Sequence, residues 1–399
     1  MRSIPLVLPF VALTFLCWGN YGPLMHEGQH GMGDSSLRPF ICVGMAYFLI
    51  AVLVPLGVLN TQGESGRWTI SGAFWALTAG VVGAVGALGV IMAFKFRGSP
   101  VYVMPLVFGC APVVNTFVTM LMARTYKEAR PIFYGGVIIV ALGAAGVMYF
   151  KPSSVNISVT ENDGQITVIK KNTTDGSETK WVAASLDELQ TDPKKNVAYK
   201  LYLRFKGPSP QQFLLVLASI ATTALCWGSY GPVLHRGQSR MEGSRMRPFL
   251  CVGLAYFAIA VIAPLAILSA YDEPGEWFQH DSAWGIFWSL GAGGAGAVGA
   301  LGIILAFNFG GKPIFVMPLV FGCAPVVNTF TTMLVQDTFG QMQTPFIAAL
   351  GLVIFGAVTV LLTAPKSGPK PAAKGAEKPA KTNDAAGDRD AGGKSSDGE

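Results

Sequence analysis

Charge is what this chain has least of. Asp, Glu, Lys and Arg make up only 13% of its 399 residues, against about 25% in an average soluble domain. With 51% hydrophobic residues and a mean hydropathy of +0.46, this excludes an ordinary water-soluble enzyme. The six cysteines show no CxxC spacing, which argues against a zinc knuckle or a disulfide framework. They read as small apolar packing residues. The net charge of +6 is not gathered into a basic stripe with aromatics, so no nucleic-acid surface is expected. The apolar runs hold no Asp or Glu, the titrating groups that an intramembrane proton relay uses.

What is present instead is a series of ten apolar runs. They lie at about 4–24, 39–60, 72–94, 101–123, 131–150, 212–234, 248–270, 284–307, 314–335 and 345–364. Most are long enough to cross a hydrocarbon core of about 30 Å as a helix, the form that satisfies its own backbone groups in lipid. At roughly 150 residues per domain the length suggests two or three domains; as a membrane protein it is one bundle. The first run resembles a signal peptide, but the same segment recurs as the sixth run in mid-chain, which removes that reading. Residues 151–211 are polar. Alternation in Val155–Val159 and Gln165–Ile169 predicts short strands there. The tail, 365–399, has no aromatics and is expected to be disordered.

The chain repeats itself. Cys17-Trp18-Gly19-Asn20-Tyr21-Gly22-Pro23 recurs as Cys226-Trp227-Gly228-Ser229-Tyr230-Gly231-Pro232, and Arg38-Pro39-Phe40 as Arg247-Pro248-Phe249. The fourteen residues Val103–Thr116 recur unchanged as Val316–Thr329. The offset is 209 early and 213 late, so four residues are inserted after the seventh run. All six cysteines fall into repeat pairs, 17/226, 42/251 and 110/323. The chain is a duplicated five-span unit. Because five is odd, the second copy enters the membrane from the opposite side, and the repeats are expected to be inverted.

Loop charges agree with that geometry, since cytoplasmic loops hold excess Lys and Arg. With the N-terminus inside, the loop after span four holds Arg124, Lys127 and Arg130, and its outside copy holds none. The loop after span six, inside, holds Arg236, Arg240, Arg245 and Arg247, whereas its outside copy sets Arg38 against Glu27 and Asp34. Lys95 and Arg97 are exceptions, falling outside. Both termini are expected in the cytoplasm and 151–211 outside it. The expectation is an all-α polytopic membrane protein of ten transmembrane helices, made of two inverted five-helix repeats. Residues 1–150 form the first repeat, 151–211 an extracytoplasmic insertion, 212–364 the second repeat and 365–399 a cytoplasmic tail.

This arrangement resembles the drug/metabolite transporter superfamily, in its EamA-like ten-span form. The closing spans look like that family's glycine-punctuated last helix, with Gly136, Gly143 and Gly146 in one copy and Gly351 and Gly356 in the other. The Trp-Gly-x-Tyr-Gly-Pro element is similar to the glucose/rhamnose-porter and ureide-permease branches. The likeness covers about 300 residues, while the central insertion departs from the superfamily's short middle connection. The resemblance implies alternating access to a site near the membrane midplane.

Several constellations carry candidate chemistry. Trp18 with Tyr21, and Trp227 with Tyr230, share a helix face at i, i+3 and can line a sugar-like solute or form an interfacial belt. Asn115, Thr116 and Thr119 recur as Asn328, Thr329 and Thr332; such groups in lipid face the bundle interior and bond a solute or another helix. Pro105, Pro112, Pro318 and Pro325 free carbonyls in the same spans. These ten Trp, Tyr, Asn and Thr positions are the candidate substrate site. Gly80, Gly83, Gly86 and Gly89 recur as Gly293, Gly296, Gly299 and Gly302 and predict close packing between spans three and eight. His26-Glu27-Gly28-Gln29-His30 matches H-E-x-x-H, the zinc-protease signature. Its copy loses the Glu and the second His, and Pro23 and Gly28 predict a broken helix there. Lys95, beside Arg97 and Pro100, reads as snorkelling to the surface.

The leading expectation is a transporter, not an enzyme, for a small neutral polar metabolite, in the plasma (inner) membrane. No cofactor or metal is expected. The partners are a small-molecule solute and the lipid bilayer, with no nucleic acid and with a homodimer left open. Two alternatives are a membrane scaffold or sensor that uses 151–211 and, more remotely, an intramembrane metalloprotease.

Overall fold

The computed structural model describes residues 4–363, apart from 125–129, 151, 153, 154, 163, 173–175, 193, 272, 274–276, 278–281 and 310–312. Long helices dominate it. The first half comprises α1 (Ile4–Gly31), α2 (Leu37–Phe48), α3 (Val54–Thr61), α4 (Ile70–Lys95), α5 (Pro100–Ala123) and α6 (Pro131–Tyr149). The insertion carries β1 (Val155–Asn162), β2 (Gln165–Asn172), β3 (Glu178–Ala183), α7 (Leu186–Thr191) and α8 (Asn196–Lys206). The second half comprises α9 (Pro210–Arg240), α10 (Met246–Phe257), α11 (Ala263–Ala270), α12 (Ser282–Asn308), α13 (Pro313–Val335) and α14 (Thr344–Thr363).

Among the described residues, eight helical segments are long and apolar enough to cross a membrane, so the chain is an integral membrane protein with an α-helical polytopic fold. They are Leu6–Gly31, Leu37–Thr61, Ile70–Lys95, Pro100–Met122, Pro131–Tyr149, Pro210–Arg240, Met246–Ala270 and Ser282–Ala306. Against the ten runs read from the sequence, α13 and α14 qualify only as shorter apolar stretches, Leu319–Val335 and Thr344–Val360, over their described residues. The tail lies outside the described residues.

Local chemistry explains the boundaries. Thr69 caps α4, its hydroxyl accepting from the Gly72 N–H at 3.0 Å. Ser209 and Gln212 close a reciprocal capping box on α9, with Pro210 in its first turn. The second span of each half is two helices joined by a π-helical turn, Leu49–Leu53 and Ala258–Ile262. Pro55 and Pro264 follow each turn. A proline ring clashes with the carbonyl four residues earlier, here Ala51 and Ala260, and the wider turn accommodates it.

The expected break in α1 does not occur. The helix runs through Pro23 and Gly28 to Gly31 and carries His26, Glu27 and His30 with it. Packing holds it: a Cβ on Gly28 would overlap the Ser289 hydroxyl, and one on Gly285 would lie 2.7 Å from Gly31. A spanning-length helix therefore does carry a carboxylate, Glu27, near its end.

The halves exchange helices. α12 packs on α1 and α2, and α4 packs on α9 and α10. This corrects the expectation that the two glycine stripes face each other. Gly80, Gly83, Gly86 and Gly89 receive Val252 and Ala255, Tyr256, Trp227 and Thr223, whereas Gly293, Gly296, Gly299 and Gly302 receive Val43 and Ala46, Tyr47, Trp18 and Thr14. Hydrogen bonds follow the same reciprocity. Thr14 Oγ1 donates to the Gly299 carbonyl at 3.0 Å, and Thr223 Oγ1 to Gly86 at 3.1 Å. Where the two exchanged bundles meet, Tyr47 and Tyr256 stack with ring centroids 3.9 Å apart and planes 2° apart. α5, α6, α13 and α14 pack together beside them. The six cysteines are free thiols.

In the insertion, β1–β2–β3 form an antiparallel sheet with Val159 opposite Val168 and Val168 opposite Trp181. Val168, Leu189, Ala198 and Tyr202 build a small core between the sheet, α7 and α8. Glu188 pairs with Lys195 across the α7–α8 corner. The Arg97 guanidinium, at the α4–α5 corner, donates to the Leu203 carbonyl at 3.0 Å and to Gly207 at 3.2 Å, joining the insertion to the bundle.

Candidate functional site

The Trp-Gly-x-Tyr-Gly-Pro elements sit midway along α1 and α9, which pack chiefly on α12 and α13 and on α4 and α5 respectively. Trp18 Nε1 donates to the Gly296 carbonyl and Trp227 Nε1 to Gly83, both at 3.2 Å. The indole donors are thus committed to helix packing, and only the ring faces remain to line a space. Tyr21 packs edge-on against Trp227, centroids 5.7 Å apart, which brings the two copies of the motif together.

Beside α1 and α9 lie the copies of the Asn-Thr motif. Asn328 on α13 stands next to Gly22, where a Cβ would come within 2.9 Å of its Oδ1, and Asn115 on α5 stands in the same way next to Gly231. The two clefts differ in burial. In the α1–α13 cleft, Tyr21 (4% exposed), Asn328 (0%), Thr329 (2%) and Thr332 (1%) are buried. In the α9–α5 cleft, Tyr230, Asn115 and Thr119 are only half-buried. Thr116 is buried there, its hydroxyl returned to the Pro112 carbonyl at 2.9 Å.

The buried cleft is also short of hydrogen-bond partners. Asn328 Nδ2 donates to the Pro100 carbonyl at 3.0 Å, but among the described residues its Oδ1 has no partner. Neither do the hydroxyls of Tyr21, Thr329 and Thr332, nor the Oε1 of Gln29 one helical turn beyond Met25. An unsatisfied buried polar group costs about 1–3 kcal/mol. Several along two touching helices make a place where a hydroxyl-bearing molecule or water gains partners.

Further along α1, the rings of His26 and His30 are 4.8 Å apart and Phe94 stands edge-on to His26 at 5.4 Å. His30 Nδ1 lies 3.0 Å from Asp34. Among the described residues no group of three or more His, Cys, Asp or Glu is arranged to hold a metal ion. A separate cavity of about 480 Å³, lined by Tyr102, Met148, Tyr149 and Phe213 among others, is largely apolar and shares no residue with either cleft.

Two acidic residues missed in the sequence close the ends of the bundle. Glu273 bonds the Ser35 hydroxyl at 2.6 Å and accepts the Ser36 and Leu37 N–H groups at 2.9 and 3.1 Å, with Arg38 3.9 Å away. Glu64 does the same for Ser244 at 2.6 Å, for Arg245 N–H at 2.9 Å and Met246 N–H at 3.2 Å, with Arg247 at 3.7 Å. Each carboxylate caps the N-terminus of a helix, α2 or α10, where the helix dipole favours negative charge. The signal was available: Glu64 and Glu273, like Ser35 and Ser244, lie at the 209-residue offset. Lys95, expected to snorkel to the surface, is partly exposed and pairs there with Glu273 at 3.3 Å.

No protein-family model matches the chain, and no curated protein matches it.

Proposed function

We propose that this protein is a transporter of a small neutral polar solute, of the drug/metabolite transporter type. In this reading α13 and α14 complete ten spans, the five-span halves are inverted, and both termini face the cytoplasm of a plasma membrane. The observation that carries it is the unequal burial of equivalent residues. Tyr21, Asn328 and Thr332 are sealed in the α1–α13 cleft, while their equivalents Tyr230, Asn115 and Thr119 are half-open in the α9–α5 cleft; the remaining pair, Thr116 and Thr329, is buried in both. In an inverted repeat these clefts address opposite faces of the membrane, so exchanging the two environments moves access from one face to the other. Under the proposed topology the sealed end faces outward.

The candidate site combines Tyr21, Tyr230 and the faces of Trp18 and Trp227 with Asn115, Thr119, Asn328, Thr329 and Thr332. These are hydrogen-bonding and aromatic groups without formal charge, which suits a sugar- or nucleoside-like solute. The test is a thermal-shift screen of the purified chain against neutral and charged metabolites. A ligand at 100 times its Kd stabilises by about 2.7 kcal/mol. Neutral hydroxylated compounds are expected to raise the melting temperature, and Asn328→Ala to abolish the shift. Stabilisation by strongly charged solutes alone would overturn the reading. Reporter fusions in 151–211 and in the tail test the topology, which requires opposite sides.

A further inference from the structure

We propose that Lys95 and Glu273 form the gate of the sealed end, and that its absence at the other end sets which way the resting protein faces. The inference rests on the alternating-access reading above. The exchanged helices make two bundles, α1–α2–α12 and α9–α10–α4. The Glu273 clasp ties the segment entering α12 to the start of α2, within the first bundle. The Glu64 clasp ties the segment entering α4 to the start of α10, within the second. Both clasps are made at once, so they stiffen each bundle and cannot distinguish the two ends.

The contacts that join one bundle to the other do distinguish them. At the sealed end Lys95, the last residue of α4, reaches across to Glu273 at 3.3 Å. Beneath it the Gln29 amide donates to the Ile91 carbonyl at 3.4 Å, and His26 meets Phe94. Among the described residues, the charged groups facing Glu273 are therefore Lys95 from the other bundle and Arg38 from its own. At the opposite end the repeat partner of Lys95 is Asn308, and the α12 sequence holds no Lys or Arg that could pair with Glu64. His235 is exposed there and Gln238 half-buried. The Lys95 side chain is itself 38% exposed, within reach of water, so the pair can open.

Two cysteine reporters at equivalent positions test this, Met25→Cys in the sealed half and Leu234→Cys in the open half. They are placed one at a time in full-length protein whose six native cysteines are replaced by alanine. The protein is held in lipid nanodiscs and labelled with a water-soluble maleimide. In the parent, Leu234→Cys is expected to label several-fold faster than Met25→Cys. Lys95→Gln should raise labelling at Met25→Cys several-fold and lower it at Leu234→Cys, while Lys95→Arg keeps the parent pattern. Asn308→Lys, which offers Glu64 the missing cation, should slow labelling at Leu234→Cys. A Met25→Cys reporter that stays protected in Lys95→Gln overturns the gate, as does labelling that rises at both reporters, which marks a loosened fold. An unchanged Leu234→Cys in Asn308→Lys also counts against it. A rise at Met25→Cys with Leu234→Cys unchanged in Lys95→Gln upholds the gate and overturns alternating access instead.

Discussion

Gly86 and Gly57 both sit in apolar helices, and they differ in what lies where a Cβ would be. At Gly86 the Trp227 indole occupies that space, with Cys226 Cβ at 3.2 Å; at Gly57 nothing lies within 4 Å. Trp227 cannot retreat without giving up its bond to the Gly83 carbonyl. Gly86→Ala is therefore expected to cost about 1–3 kcal/mol by overpacking. Gly57→Ala, which gains only helix propensity, is expected to stabilise by up to about 1 kcal/mol. Melting temperatures of the two variants check this, and equal shifts of the same sign would contradict it. The glycine stripe was legible because duplication doubles its signal. Its partner was not, since a repeat identifies equivalent residues and a helical period identifies a face, but neither names the helix across from it. The same holds for Glu64 and Glu273. Each reads as a loop carboxylate until the loop is seen lying on the start of a helix more than 150 residues away.

Helix ends were mostly readable within a few residues, because caps and prolines act locally. Thr69, Ser209 and Pro131 stand where chain-local rules put them. The extension of α1 past Pro23 was not readable, since it depends on Gly28 and Gly31 lying against α12. The clasps are the non-local counterpart of these caps, and they make an element-scale prediction. Hydrogen bonds to charged groups contribute about 1.5–3 kcal/mol. Glu64→Gln and Glu273→Gln should each lower stability by an amount in that range, and their effects should add, as those of distant sites do. Acid should act on Glu273 in the same direction. Burial pushes its carboxyl up, yet the Ser35 hydroxyl, the Ser36 and Leu37 N–H groups and Lys95 together hold it below the usual carboxylate range. A depressed folded value means the clasp stabilises fully above the unfolded pKa, about 4.3 for Glu. That stability is lost as the pH falls through the folded value. Melting temperatures of the parent and Glu273→Gln should converge in acid and separate at neutral pH. Parallel curves at all pH values would show that the Glu273 charge contributes nothing.

At the scale of the whole molecule, the two cations that broke the loop-charge pattern, Lys95 and Arg97, are both spoken for. One pairs with Glu273 and the other bonds the Leu203 carbonyl of α8 and the Gly207 carbonyl just beyond it. Neither is a free charge, so they weigh little against the proposed topology. The exchange of helices has a stronger consequence. α4 buries its glycine stripe on α9 and α10, and α1 buries its own face on α12 and α13, so each half uses the other as its core. A five-helix half alone leaves those close-packed faces to lipid and loses the Trp18, Trp227, Thr14 and Thr223 bonds to the opposite half. The chain can be cut at Gly207–Pro208, in the short connection between α8 and α9, without severing any helix. Expressed singly, residues 1–207 and 208–399 are expected to be degraded or to remain open to protease throughout. Expressed together, they should co-purify as one complex that melts as a unit, with the Gly86→Ala penalty retained. A first half that is protease-resistant by itself would mean that the exchanged contacts are secondary, and that each five-helix repeat folds on its own before the two meet.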